Sequence, residues 1–427
     1  MKLLLILPNT ERGWWGRLSR SGKAGFIRLS LPTIAALTPS EWEVEILDAR
    51  VTPVDYFAKV DLVGISSYTS EIPCAYKIAD GFREVGVPVV MGGVHVSALP
   101  DEALEHADSV VIGEAEDVWV TLLDDFKNKR MKRIYQAPAL TKMKDMVQPR
   151  RELYDRSMYG SGFNSLQSTR GCPFDCDYCA VTAFFGKEFR TRPVDDVIAE
   201  IKALDTKEFF FMDDNIVGNP RYAKLLFKAL IPLKLTWGSQ ASITLAKDPE
   251  LMELYAKSGG KYAFIGFESL SQKTLESLNK GWNSAENYAD SIKKIQKAGI
   301  SIIASFVFGL DGDEKSVFKN TFDFIMKNKV NAAEFHILTP MPGTNTYHEL
   351  NESGRITNRD WSSYHTGEVV FKPDGMTPVE LLNGYHWIFK ETYKVKNILK
   401  RALRASHGLK YRIAINLSYR KKALKMP

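Results

Sequence analysis

The chain opens on a run of apolar residues, 3–7, that stops at Pro8-Asn9. Similar runs return at residues 44–47, 62–65, 87–91 and 110–112. Each is short and continuous rather than alternating, and each is followed by Gly, Ser or Asp. Between them lie stretches with helical spacing: residues 73–85 place Ala75, Ile78, Ala79, Phe82 and Val85 on one face, and residues 118–126 repeat the pattern. Short strands buried on both faces and separated by helices predict an α/β domain over residues 1–127, doubly wound and Rossmann-like. Its loops of small and polar residues fall at the carboxyl ends of strands. They are Ser66-Ser67-Tyr68-Thr69, Gly92-Gly93-Val94-His95 and Gly113-Glu114-Ala115-Glu116. In an open parallel sheet that edge is where ligands bind.

Residues 128–160 have few apolar positions in period and read as a connector. Alternation resumes over 161–345. Strands are expected at 164–168, 209–212, 235–239, 262–267, 302–308 and 333–338. Helices are expected at 195–204, 222–230, 249–257, 273–278, 286–298 and 317–327. Six such units predict a partial (β/α)6 barrel with a wide mouth at its carboxyl-end face, room for a large substrate. Residues 340–391 look irregular and aromatic-rich, and 346–427 form a C-terminal extension. Near its end Val395, Ile398, Leu399, Ala402 and Leu403 recur at helical spacing between Lys396, Lys400, Arg401 and Arg404, a basic amphipathic helix. Residues 409–419 alternate apolar and polar, which leaves their state open.

Charge sharpens the picture of that tail. The net charge of +6 is uneven: residues 392–427 hold 11 of the 57 Lys and Arg and none of the 51 acids, so the rest carries −5. A basic nucleic-acid-binding domain is not indicated. The tail suits an anionic membrane surface, or it packs on the barrel with its charges solvated. No apolar run approaches the roughly 20 residues that cross a bilayer, and the start is too short for a signal peptide. Three of the four cysteines share one loop, which argues against a disulfide framework and for thiolate metal binding in a reducing, cytoplasmic setting.

That loop carries the chemistry. It reads Ser168-Thr-Arg-Gly-Cys172-Pro-Phe-Asp-Cys176-Asp-Tyr178-Cys179, a C-x3-C-x2-C triplet after the first strand of the second region. Three thiolates can hold three irons of a four-iron cluster and leave the fourth open. Zinc would need a fourth ligand, and the nearest downstream histidine is His336. Cys74, the remaining cysteine, lies in a helical pattern and is expected in a core.

The triplet, with an aromatic residue before its last cysteine, resembles the radical SAM superfamily. The resemblance implies a 4Fe-4S cluster on Cys172, Cys176 and Cys179, with S-adenosylmethionine (SAM) on the open iron. It also implies SAM contacts from Tyr178, from Asp213 and Asp214 in Phe211-Met-Asp-Asp-Asn215, from Gln240 and Ser242, from Glu268 in Ile265-Gly-Phe-Glu-Ser269, and from Gly309. Pro340-Met-Pro-Gly-Thr344 would close the mouth. Asn219 is the better N-cap of the helix that Pro220 starts. Arg190 and Arg192 either reach the SAM carboxylate or are simply solvated. A small electron-transfer protein of flavodoxin or ferredoxin type would supply the electron.

Residues 1–127 resemble the cobalamin-binding domain that precedes the barrel in one subclass. The implied cobalamin contacts are Ser66, Ser67, Tyr68, Thr69, Gly92, Gly93, His95, Gly113 and Glu114. The D-x-H-x-x-G motif that supplies a histidine to cobalt is absent: the first strand is followed by Pro8-Asn-Thr-Glu-Arg-Gly-Trp-Trp15. Within the subclass the chain is most similar to hopanoid methylases and lipid-modifying enzymes. The expected activity is therefore C-methylation of an unactivated carbon of an apolar substrate, an isoprenoid lipid among the candidates. One SAM would supply the methyl group by way of the corrin, and a second would yield a 5′-deoxyadenosyl radical. A radical SAM enzyme that dehydrates, cyclises or joins carbons is the alternative. A methylthiotransferase would need more cysteines, and an electron carrier would not cleave SAM. The enzyme is expected in the cytoplasm, peripheral at the inner face of the membrane if the tail docks there.

Overall fold

A computed structural model describes residues 1–11, 26–159, 164–402 and 409–426. Expectations at Arg12–Trp15, Leu403 and Arg404 lie outside the described residues.

The first sheet has six parallel strands: β1 Lys2–Leu7, β2 Glu43–Asp48, β3 Leu62–Ser66, β4 Val89–Gly92, β5 Ser109–Ile112 and β6 Ile134–Gln136. Their spatial order is β2-β1-β3-β4-β5-β6. The order reverses between β1 and β3, which makes a crevice at their carboxyl ends. The strands are continuous apolar runs because both faces are covered. Leu4, Ile6, Val63 and Met91 pack in one cluster, and Leu3, Leu5, Leu62 and Val90 in another. Cys74 sits half-buried in helix Ile72–Glu84 against the first cluster.

The second sheet runs β7 Ser165–Leu166, β10 Glu208–Phe211, β11 Thr236–Ala241, β12 Gly260–Glu268, β13 Ser301–Phe308 and β14 Ala332–Ile337, parallel and in sequential order. A two-stranded antiparallel ribbon, β8 Thr169–Arg170 with β9 Arg190–Thr191, brackets the cysteine loop. All eight residues of β13 are buried, as a strand covered on both faces requires. Asn219 caps helix Pro220–Leu230, its side chain accepting from the Tyr222 amide.

Three expectations need correction. Residues 128–160 are not a loose connector: β6 closes the edge of the first sheet, and Arg151 donates to the Ser165 carbonyl and pairs with Glu200 of the barrel. Residues 340–391 are not irregular throughout: helices Asn345–Glu352 and Pro378–Thr392 lie there, the second sealing the barrel with Leu381, Tyr385, Ile388 and Phe389. The tail, too, does not keep all of its charges in water. It forms helices Val395–Ala402 and Leu409–Ala423, with Arg401, Arg412 and Lys422 turned into the protein. Among the described residues no helix is long and apolar enough to cross a membrane.

Candidate functional site

The cysteine loop is positioned by its neighbours before any ligand arrives. Gly171 turns the chain with φ +86°, and a side chain there would strike the Glu188 carbonyl at 2.3 Å. Cys179 immediately precedes helix Ala180–Phe185, and the Val181 and Thr182 amides point at its sulfur. The Phe174 amide and Asn215 Nδ2, at 3.8 Å, point at Cys172. Donors aimed at sulfur suit thiolates that carry a cluster. Burial nonetheless dominates and pushes all three thiols up, Cys176 to about 12.

Asp213 and Asp214 divide their labour. Asp213 is fully buried, and its carboxylate accepts from the Ser168 amide at 2.7 Å, the Thr169 amide at 3.1 Å and the Ser168 hydroxyl. It anchors the turn that leads into the loop. Asp214 accepts from the Gly171 amide at 3.1 Å and lines the open cleft. Burial raises both carboxyls to about 6. Asn215 completes the run by accepting from the Ser242 amide at 3.0 Å, and the Ser242 hydroxyl bonds Thr244.

Glu268 ends β12 in a left-handed conformation, φ +60°, where the register against β13 shifts. Its carboxylate folds back over the strand. A side chain at position 266 would lie 2.2 Å from Oε1, which explains the glycine two residues earlier. Lys280 Nζ donates to Glu268 Oε1 at 2.6 Å and to the Tyr178 hydroxyl at 3.2 Å. Burial works against that ammonium, but Glu268, then Cys176, hold its pKa above the ordinary lysine value. Glu268 is thus one half of a buried pair beside the cysteine loop rather than a surface ion. Gln240 is exposed, on the face of β11 opposite the packed Trp237 and Ala241. Gly309 turns the chain after β13 with φ +87°. Its amide is taken by Asp313, and its Cα abuts Leu381 and Phe371 of the extension.

Across from the loop stands the carboxyl edge of the first sheet. One cleft is lined from below by Ser66, Ser67, Tyr68, Gly92, Gly93 and Gly113, and from above by Arg170, Phe184, Phe185, Met212 and Asp214. Gly93, at φ +105°, lets its turn close on the Ser67 carbonyl, which a side chain would meet at 2.5 Å. Gly113, at φ +78°, has open space where its side chain would be. Ser67 Oγ is buried with no hydrogen-bond partner. Thr69 is buried beneath the loop, and Tyr68 stands 51% exposed with the Arg28 guanidinium 4.3 Å over its ring. A flat ligand fits such a floor: small residues let it approach the backbone, and an unsatisfied hydroxyl awaits a partner.

Two expected floor residues are held by other side chains, and of these Glu114 still lines the cleft. His95 is completely buried, its Nε2 3.3 Å from Glu102, which also accepts from Tyr76 and from Trp361 of the extension. It faces away from the cleft, whose described lining contains no histidine, so a corrin here would lack a protein imidazole. Glu114 is a clamp: Arg170 Nη1 lies 2.5 Å and Arg190 Nη1 2.6 Å from its two oxygens, and the Thr141 amide donates at 2.9 Å. Burial would raise the carboxyl, but Arg170, then Arg190, hold it low. Arg190 and Arg192 are therefore buried and ion-paired rather than solvated. Arg192 pairs with Glu200 inside the barrel wall.

Sequence reasoning assigned no role to Lys280, Arg170 or Asn215. The partners of Lys280 and Arg170, Glu268 and Glu114, are distant in the chain.

The family model of the radical SAM superfamily matches residues 166–325, and that of the B12 binding domain matches residues 26–123. Bacteriochlorophyllide d C-12(1)-methyltransferase of Chlorobaculum tepidum is 35% identical over 94% of this chain and 89% of its own length. Hopanoid C-2 methylase of Rhodopseudomonas palustris is 26% identical over 86% of this chain and 74% of its own. Anaerobic magnesium-protoporphyrin IX monomethyl ester cyclase of Cereibacter sphaeroides is 26% identical over 79% and 60%. Among solved structures, the radical SAM methyltransferase TsrM from Kitasatospora setae, with cobalamin and a 4Fe-4S cluster bound, shares the fold. Its TM-score is 0.71 at 16% identity, covering 99% of this chain and 100% of that one.

Proposed function

The chain belongs to the radical SAM superfamily, in the branch with an N-terminal B12-binding domain, and on that premise we propose that it methylates an unactivated carbon of a large apolar substrate. Its domains take a 4Fe-4S cluster, SAM and cobalamin. The observation that carries the proposal is the single cleft with the glycine and serine floor on one side and the cysteine-loop elements on the other. A methyl carrier on that floor would face the place where SAM is held.

When bound, the cluster supplies the electron that opens the C–S bond of SAM, and the corrin supplies a carrier for the methyl group. The chain's own residues bind, orient and exclude water. Cys172, Cys176 and Cys179 hold the cluster. Asp214, Gln240, Ser242 and Glu268 orient SAM, and Lys280 fixes Glu268. Phe184 and Phe185 keep the cleft dry. A reduced protein of flavodoxin or ferredoxin type donates the electron.

The substrate class follows from relatives that act on bacteriochlorophyllide d and on hopanoids. Both are bulky, polycyclic and mostly apolar, and the higher identity favours a tetrapyrrole over an isoprenoid lipid. The test is mass spectrometry of pigments and lipids from cells with and without the gene. A compound lacking one methyl group should accumulate in the deletion strain. The cyclase relative supports a second reading, ring closure without methyl transfer. In that case the accumulating compound would keep its methyl count and lack a ring.

A further inference from the structure

The last two helices each bury a cation and leave aliphatic residues outside, against the usual order of a globular protein. In helix Leu409–Ala423 the inward residues include Arg412, Asn416 and Lys422, exposed by 2%, 0% and 7%. Asn416 bonds the Asn331 carbonyl and Arg401, and Lys422 faces Glu334. Ile413 and Leu417, four residues apart, lie on another face, and Leu424 follows just past the helix end; they are exposed by 39%, 49% and 69%. Helix Val395–Ala402 does the same in part: Ile398 packs in the core, but Arg401 is buried too, while Val395 and Leu399, four residues apart, stand 51% and 48% exposed. A surface helix ordinarily buries its aliphatic stripe and solvates its cations. Aliphatic side chains gathered on the outside mark a surface that something else covers.

The charge around them identifies the partner. Lys396, Lys400, Lys421 and Lys425 are exposed and have no ion pair among the described residues. No Asp or Glu follows Glu391 in the chain. We propose that this face docks on an anionic lipid bilayer, its leucines and isoleucine entering the acyl boundary and its lysines lying at the headgroups. A second copy of the chain is the poorer occupant, because a two-fold contact would set lysines against lysines. The proposal goes beyond the methylation reading and does not depend on it, although a bilayer would also be the reservoir of an apolar substrate.

The test is co-sedimentation of the purified holoenzyme with two kinds of vesicle, phosphatidylcholine alone and phosphatidylcholine with about one-third phosphatidylglycerol. Binding is expected only to the anionic vesicles and should weaken as salt is raised. Changing Lys396 and Lys400 together to Gln should weaken it about fivefold per lysine. Changing Leu399 and Leu417 together to Gln should weaken it about tenfold or more per leucine. Helicity and 5′-deoxyadenosine production in detergent solution should stay unchanged in both variants, which separates lost docking from lost folding. No binding to anionic vesicles, or unchanged binding of both variants, overturns the proposal. So does a dimer in light scattering that the leucine variant abolishes, which would assign the face to a second copy.

Discussion

The carboxyl edge of β3, β4 and β5 presents Ser66, Gly92 and Gly113, whereas the edge served by β8, β10 and β12 presents three cysteines, Asp214 and Glu268. The first works by what it leaves out. Its floor is glycine, a free hydroxyl and open space, so the chemistry must come from the group that lies on it. The second works by what it assembles: thiols with amides aimed at them, buried carboxyls, and a buried lysine tied to a glutamate. The empty edge should therefore be sensitive to volume and the loaded edge to charge.

The sharpest way to break that comparison is to injure each edge separately. Cys176→Ala should abolish the cluster and all SAM cleavage, read as iron content and 5′-deoxyadenosine. Gly113→Leu puts a side chain into the cleft. It should abolish corrin binding, read by absorbance, yet leave dithionite-driven SAM cleavage intact. If Gly113→Leu also loses the cluster, the two edges are not separable.

Next in size is the buried pair. Lys280→Met leaves the Glu268 carboxylate buried without its partner, which costs about 3–5 kcal/mol. Denaturant unfolding should register the loss, and SAM binding should fall with it. The clamp between the edges comes third. Glu114→Gln strips a charge from between Arg170 and Arg190 and should cost about 3 kcal/mol. It should also loosen the first domain from the barrel, seen as faster hydrogen exchange along residues 165–170.

The smallest effect is on pH dependence, which should arise on the loaded side. Burial raises the Asp313 carboxyl, beside the turn after β13, to about 7. A carboxyl that is harder to ionise in the fold than in the unfolded chain stabilises below its unfolded pKa. That contribution is lost as pH rises from about 4 toward 7. Melting temperature should decline across that window, and Asp313→Asn should flatten the decline.

How much of this was legible in the chain differs between the two edges for the same reason. Strands such as β1 and β13 were readable because continuous burial demands continuous apolar runs. The cysteine triplet was readable because its ligands are local in sequence. His95 was not: its direction is set by Glu102 and by Trp361, and those two lie 259 residues apart. Lys280 was not readable as a site residue because its counter-charge enters through the backward fold of Glu268, where the register of β12 shifts. β6 has three residues and no period to detect. Helix Pro378–Thr392 did carry a signal, a Thr377–Glu380 capping box with Pro378 at the first turn. Its apolar positions were masked by Gly384, His386 and Trp387. The tail's burial pattern was unreadable because it inverts the rule by which amphipathic helices are recognised.

Both edges are proposed to serve one reaction in one cleft. Its most direct measurement uses anaerobically reconstituted enzyme, a tetrapyrrole substrate and SAM labelled on the methyl carbon. The account predicts labelled product, with S-adenosylhomocysteine and 5′-deoxyadenosine formed in equal amounts. 5′-Deoxyadenosine without S-adenosylhomocysteine or labelled product would contradict it.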